Sequence, residues 1–479
     1  MIEKLKLINI QLLSAGIVVI LLVVPLFPKL PLINVPKTFV AVRIEDFILA
    51  FFTLLALTIL WQRRKELIQD NLSLAIIAFW IIGLFSTFSA IFVTKTVEPH
   101  LGFLHHLRRI EYMIPYFLIF AVKPSIYQVK DYLKILFLVS AIVVIYGVGQ
   151  IYFDFPVFST ANREYAKGIP LTLGPAARVN STFAGHYDLA AYTAVMLSIF
   201  AAFVVAVFGG LILKFGDLKK KLLGLVILVL AAGNLWLLLQ TASRISFIAY
   251  LAGIIVTMFL LKKRFILILM LVVSLLSLLS TEELRGRLIN TLFYGTKRLT
   301  TFQISPPAIF AFEIAQNTQT STSTPDTSFQ DVVGGEPENT QSLGVYRSAR
   351  VRLDFEWPAA VNGFLRNPIL GSGYSSLGVA TDNDYLRSAG EVGIFGTFAF
   401  GLIFVEIGKR IKAFLKRTKE QNFEKTLVIG ITGATCALLV NATFIDVFEA
   451  SKIAILFWTL VGILAVTMKQ SHASPSQNN

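Results

Sequence analysis

The chain has 479 residues, 55% of them hydrophobic and 15% charged, with a mean hydropathy of +0.70. Soluble domains carry about 25% charged and about 45–50% apolar residues, so this composition excludes an ordinary soluble domain and describes an integral membrane protein. The net charge of +14 is spread between apolar runs and not gathered on one soluble unit, which argues against nucleic acid as a partner.

In chain order, Lys4 and Lys6 precede an apolar run over 7–27 that ends at Pro25, Phe27 and Pro28 with no small-residue cleavage site, so it reads as an uncleaved first span. Further runs long enough for about 30 Å of hydrocarbon cover 46–61, 72–93, 112–122 with a polar lead-in, 132–152, 189–213, 222–239, 246–261 and 265–279. The last three cover 392–407, 426–444 and 454–468, for about twelve spans in all. The single cysteine, Cys436, lies inside one of them, so no intrachain disulfide forms. The expected fold is an all-α polytopic bundle. It divides into N-terminal helices over 1–280, a long connection over 281–386, C-terminal helices over 387–469 and a tail over 470–479.

Lysine and arginine set the orientation. Arg63, Arg64 and Lys65, Lys219 to Lys221, Lys262 to Arg264 and the 409–425 run all fall on one side, which makes both termini cytoplasmic. The long connection then lies outside the cytoplasm. Its middle, 316–342, is rich in Thr, Ser, Gln and Pro and reads as a flexible tract. Val351, Phe355, Pro358, Val361 and Leu365 predict an amphipathic helix on the membrane face, ended by Asn367 and Pro368.

Outside the cytoplasm there is no ATP or sugar nucleotide, so a transfer reaction needs a donor already activated on the membrane, such as a lipid-linked diphosphate. Arginine suits that donor, because its guanidinium meets phosphate oxygens in a bidentate fork and stays charged. Arg178, Arg244, Arg350 and Arg352 lie on the required side near helix ends. Arg244 sits where a turn enters a span, with Ser243 or Thr241 as the expected cap; an interfacial, snorkelling arginine is the alternative. Asp382 is the candidate general base, oriented by Asn383 and Tyr385. The competing reading makes Asp382 or Asn383 a helix cap, with Glu391 in the first turns that follow. Glu391 is a second catalytic candidate, and Glu356 is plausible too, although it could pair with Arg352 at helical spacing. His105, His106 and His186 form no compact ligand set, so no metal is expected.

Three segments, SARVRLDFEW, NPILGSGYSS and TDNDYLRSAGEVGIFG, together resemble the signature region of the O-antigen ligase and Wzy-type O-antigen polymerase superfamily. TASRISFIAY and RVNSTFAGHYDLAAY are similar to that family's arginine-bearing span starts. The resemblance implies a metal-free, inverting glycosyltransferase of the GT-C type, without cofactors, using an undecaprenyl-diphosphate-linked oligosaccharide as donor. A glycan or lipid would be the acceptor, with polysaccharide-assembly proteins as partners, at the outer face of the cytoplasmic membrane. It further implies that Arg244 and Arg350, with Arg178, bind the diphosphate. Asp382 stands where ligases of the family carry a histidine, which leans toward a polymerase or a different acceptor. A flippase or transporter for the same class of glycan is the rival, though no half-to-half repeat is visible.

Overall fold

Helices form wherever an apolar run is bounded by capping or breaking residues. A computed structural model describes residues 2–36, 38, 41–157, 172–174, 177–208, 218–282, 284–289, 351–378 and 381–470. The flexible tract expected over 316–342 and Arg350 lie outside the described residues. Before the long connection come α1 (Ile2–Leu26), α2 (Ile44–Gln62), α3 (Arg64–Ile68), α4 (Asn71–Phe88) and α5 (Pro99–Val122). They are followed by α6 (Ile126–Tyr152), α7 (His186–Phe208), α8 (Leu218–Gln240), α9 (Arg244–Leu260) and α10 (Arg264–Ser280). After it come α11 (Trp357–Arg366), α12 (Asp384–Arg417), α13 (Phe423–Asn441) and α14 (Ser451–Gln470). Among the described residues the only sheet is a short antiparallel pair, β1 (Pro31–Asn34) and β2 (Ala41–Arg43), with Ile33 opposite Val42.

Within the described residues a helix occupies each apolar run read from the sequence. Nine of the described helices are long and apolar enough to cross a membrane. α9 and α10 have 17 residues each, and α5 carries His105, His106, Arg108, Arg109 and Glu111 along its first half. The polar lead-in before residue 112 is therefore helical, with Pro99 at the helix start where its missing N–H costs nothing. The other ends follow local chemistry. Asp70 caps α4 through the Ser73 N–H, Ser125 and Gln128 form a capping box on α6, and Asn422 caps α13.

α14 is buried along its whole span and α7 along nearly all of it. α14 packs on α5, while α7 packs on α8, α9 and α13. Lipid is as apolar as leucine, so close approach through small residues decides which helices meet. A Cβ on Gly433 of α13 would lie 2.0 Å from Thr257 Oγ1 of α9. At one end of the bundle the Asp70 carboxylate takes Lys469 (2.6 Å) and Arg410 (3.1 Å), tying α4, α14 and α12 together. The residues expected to carry chemistry lie at the other end.

Candidate functional site

The glycine-rich turn and the Glu-Val-Gly segment meet, and they meet as architecture. α12 breaks at Gly393, whose φ of +64° interrupts the helix. The carbonyls of Gly390 and Glu391 accept the N–H groups of Ser372 and Gly373 (2.8 Å each). The Ile394 N–H donates to the Pro368 carbonyl (2.9 Å). A Cβ on Gly371 would lie 2.4 Å from the Glu391 backbone, so only glycine permits this approach. The π-turn Arg352–Glu356 and α11 lie upstream of this lock. The amphipathic helix is present as expected, with Val351, Phe355, Val361 and Leu365 exposed and its end at Asn367.

Arginines gather beside the start of α9. Arg244 lies within electrostatic range of Arg287, Arg352 and Arg178 and of the Tyr187 phenol. Arg178 and His186 Nε2 are hydrogen bonded at 2.7 Å. Arg287 is buried on the helical stretch 284–289, and Arg352 hydrogen bonds Tyr187 as well as Asp382. Three of the four arginines picked from sequence are thus brought together, Arg178, Arg244 and Arg352. Arg287 and Tyr187 were missed, although Arg287 follows the α10 run at the start of the long connection. The expected caps of α9 are corrected. The Ser243 hydroxyl donates to Ser246 Oγ (3.0 Å), which donates on to Asn441 Oδ1 (2.9 Å), while Thr241 Oγ1 accepts the Ser243 N–H (3.4 Å). The two serines tie α9 to the end of α13, and neither Ser243 nor Thr241 caps the helix through its side chain.

Asp382 adopts a left-handed backbone, φ +49°. Both Nε and Nη2 of Arg352 donate to its Oδ2, at 3.0 and 2.7 Å. Asp446, on the α13–α14 connection, holds the turn that presents it. The Asp446 carboxylate accepts the successive N–H groups of Thr381 (2.9 Å), Asp382 (3.1 Å) and Asn383 (3.0 Å), and Arg387 Nη2 at 2.8 Å. Asn383 caps α12 by accepting the N–H groups of Tyr385 and Leu386, and the Tyr385 hydroxyl donates to the Leu439 carbonyl. Neither orients the Asp382 carboxylate, contrary to expectation. Asn383 takes the cap and leaves Asp382 to Arg352.

The expected pairing of Arg352 with Glu356 gives way to Arg352 with Asp382, because the π-turn changes the spacing. Glu356 Oε2 is buried with no hydrogen-bond partner. Burial, and next the Asp382 charge, push the Glu356 carboxyl up to about 7. Burial also raises Asp382, opposed by Arg352.

Glu391 lies elsewhere in the charge pattern. It is 1% exposed, paired with Arg109 (3.1 Å) and Arg387 (3.5 Å), and it accepts the Ser375 N–H at 3.3 Å. Arg109 also pairs with Glu449. Arg387 thus bonds Asp446 as well as Glu391, and no bond joins Glu391 to Asp382. The cavity beside Glu391, lined by Arg109, Tyr374, Asp384, Arg387 and Glu449 among others, has about 30 Å³. That is room for a water or two, not a sugar. Among the described residues no group of three or more His, Cys, Asp and Glu is set to hold a metal ion.

No family model matches the chain, and no curated protein sequence does.

Proposed function

We propose that the protein is an extracytoplasmic glycosyltransferase of the O-antigen ligase and polymerase kind. It would take an undecaprenyl-diphosphate-linked glycan and polymerise or ligate it during cell-surface polysaccharide synthesis. On this reading the chain crosses the cytoplasmic membrane about twelve times, with both termini inside and the arginine cluster outside. The observation that carries the reading is the convergence of Arg178, Arg244, Arg287 and Arg352 beside Asp382. Arg287, Arg352 and Arg178 each repel Arg244, and a multiply charged diphosphate would relieve that repulsion while taking hydrogen bonds from the guanidiniums.

In the reaction an acceptor hydroxyl oxygen bonds to the sugar's anomeric carbon as the bond from that carbon to the diphosphate oxygen breaks. The electron pair leaves with the lipid diphosphate, where the arginines meet the developing charge. The hydroxyl proton passes to Asp382, whose Oδ2 is held by Arg352. Attack opposite the leaving group inverts the anomeric centre. Because the arginines neutralise the leaving group, the scheme needs neither metal nor cofactor. Glu391 becomes a scaffolding residue in this scheme, and Glu356 replaces it as the second carboxyl at the site.

The rival flippase draws on one observation, the charges of Arg109, Glu391 and Arg387 buried within the bundle. Purified protein, given an undecaprenyl-diphosphate oligosaccharide with and without EDTA, separates the two. A ladder of longer lipid-linked glycans, insensitive to EDTA and lost in Arg244→Ala and Asp382→Asn, supports a polymerase. Turnover only when an acceptor is added supports a ligase. Binding without turnover in either condition favours the flippase and ends the transferase proposal.

A further inference from the structure

The end of the bundle away from the arginine cluster carries a second cationic concavity. α9 passes into α10 there through a tight turn. Lys262 takes a left-handed φ of +57° and donates its N–H to the Phe259 carbonyl (3.1 Å), and the Lys263 N–H reaches the Met258 carbonyl (3.1 Å). Beside it, α12 gives way to α13, and Lys425 Nζ donates to the Lys419 carbonyl (2.9 Å), which fixes that connection. Between the two turns lies an open groove of about 590 Å³.

Its composition selects a ligand. Lys262, Arg264, Lys419 and Lys425 line it, no carboxylate among the described residues does, and Phe259 and Leu415 supply an apolar wall. Glu420, on the same connection, and Glu424, in the first turn of α13, are absent from the lining. Lys262 and Lys425 are close enough to repel each other. Four cations against an apolar wall, at helix ends where a bilayer surface would lie, suit a phosphate group attached to acyl chains. A free anion would leave the wall bare. We propose that this groove binds the headgroup of an anionic phospholipid. Bound lipid bridges the far ends of α9 and α12, the helices whose near ends adjoin Arg244 and Asp382.

The test uses the purified full-length protein in neutral detergent, with retained lipid counted by native mass spectrometry. Phosphatidylglycerol, phosphatidylcholine and glycerol 3-phosphate are titrated separately. Phosphatidylglycerol should be retained at least about tenfold more tightly than either of the others. The Lys262→Gln/Lys425→Gln pair should remove that preference, and glutamine suits the turn as well as lysine does. A charge-matched control, Lys134→Gln/Lys409→Gln, changes exposed lysines outside the groove and should keep it. For wild type, 0.5 M salt should weaken retention of phosphatidylglycerol but not of phosphatidylcholine. Equal retention of the two lipids, or tight binding of glycerol 3-phosphate, would overturn the proposal. Equal loss in both double variants would reduce it to general surface charge and overturn it as well. Each readout is independent of glycosyl transfer.

Discussion

Two groups of arginines near one end of this bundle are used in opposite ways. Arg109 and Arg387 sit in an alternating lattice, Arg109 between Glu391 and Glu449 and Arg387 between Glu391 and Asp446. Arg178, Arg287 and Arg352 instead lie within electrostatic range of Arg244, with Asp382 bonded to Arg352. Buried charges that alternate satisfy each other and fix helices in place. Charges that repel are retained where a ligand of opposite sign arrives. The first arrangement is a frame, and the second is a seat.

The comparison breaks if the two groups respond alike to mutation. Arg387→Ala has the largest expected effect, because Asp446 and Glu391 both lose a buried cationic partner. Removing one partner of a buried pair costs roughly 3–5 kcal/mol, seen as lost folded protein and a lower unfolding temperature. Arg244→Ala should leave the amount of folded protein unchanged and lower the transfer rate by about 10²–10³-fold, as for loss of one group facing a developing anion. A similar fall in stability for both would erase the distinction.

Asp446→Asn sharpens it, since Asp446 serves both arrangements. It keeps the shape but loses the charge that three backbone N–H groups and Arg387 share. We expect about a tenfold fall in rate at saturating donor, roughly one charged hydrogen bond's worth, through displacement of Asp382. Unaltered kinetics would show that the Asp382 turn needs no such anchor. Gly393→Ala should cost about 1–3 kcal/mol of stability, because its Cβ would meet the Ile369 carbonyl oxygen at 2.5 Å and its φ is positive. A normal unfolding temperature would show that the kink is dispensable.

The smallest effect is a pH dependence. Glu356 titrates near 7 when folded against 4.5 as its ordinary value, so the folded state holds the extra proton between those values. Stability from this group is present below about 4.5 and declines as pH rises through about 7. Thermal unfolding between pH 5 and 8 should follow that decline in wild type, and Glu356→Gln should flatten it. An unchanged slope in Glu356→Gln would remove Glu356 from the site's charge balance.

The helices were legible because an apolar run's length, bounded by Asp70, Ser125 or Asn422, is a local property. Arg178, Arg244 and Arg352 were legible for a related reason, since side of the membrane and nearness to a helix end can be counted along the chain. The partners of Glu391 were not legible, because its sequence neighbours leave its carboxylate looking available. Its first partner is Arg109, 282 residues away, and no spacing rule reports that. Asp446 was invisible for the same reason, as its principal partners are backbone N–H groups that carry no side-chain signature. The role of the glycines in NPILGSGYSS was not legible either, since the Cβ-free faces of Gly371 and Gly373 admit the α12 backbone and Ala90 across the fold. Each miss concerns a contact made across the fold.

The most direct measurement is binding of undecaprenyl diphosphate, with undecaprenyl monophosphate as comparison, to wild type and to Arg244→Ala/Arg287→Ala. If the cluster is the seat for the leaving group, wild type prefers the diphosphate. The double variant should then lose at least about tenfold in affinity for it while remaining folded. Equal affinity of both proteins for the diphosphate would contradict the assignment of these arginines.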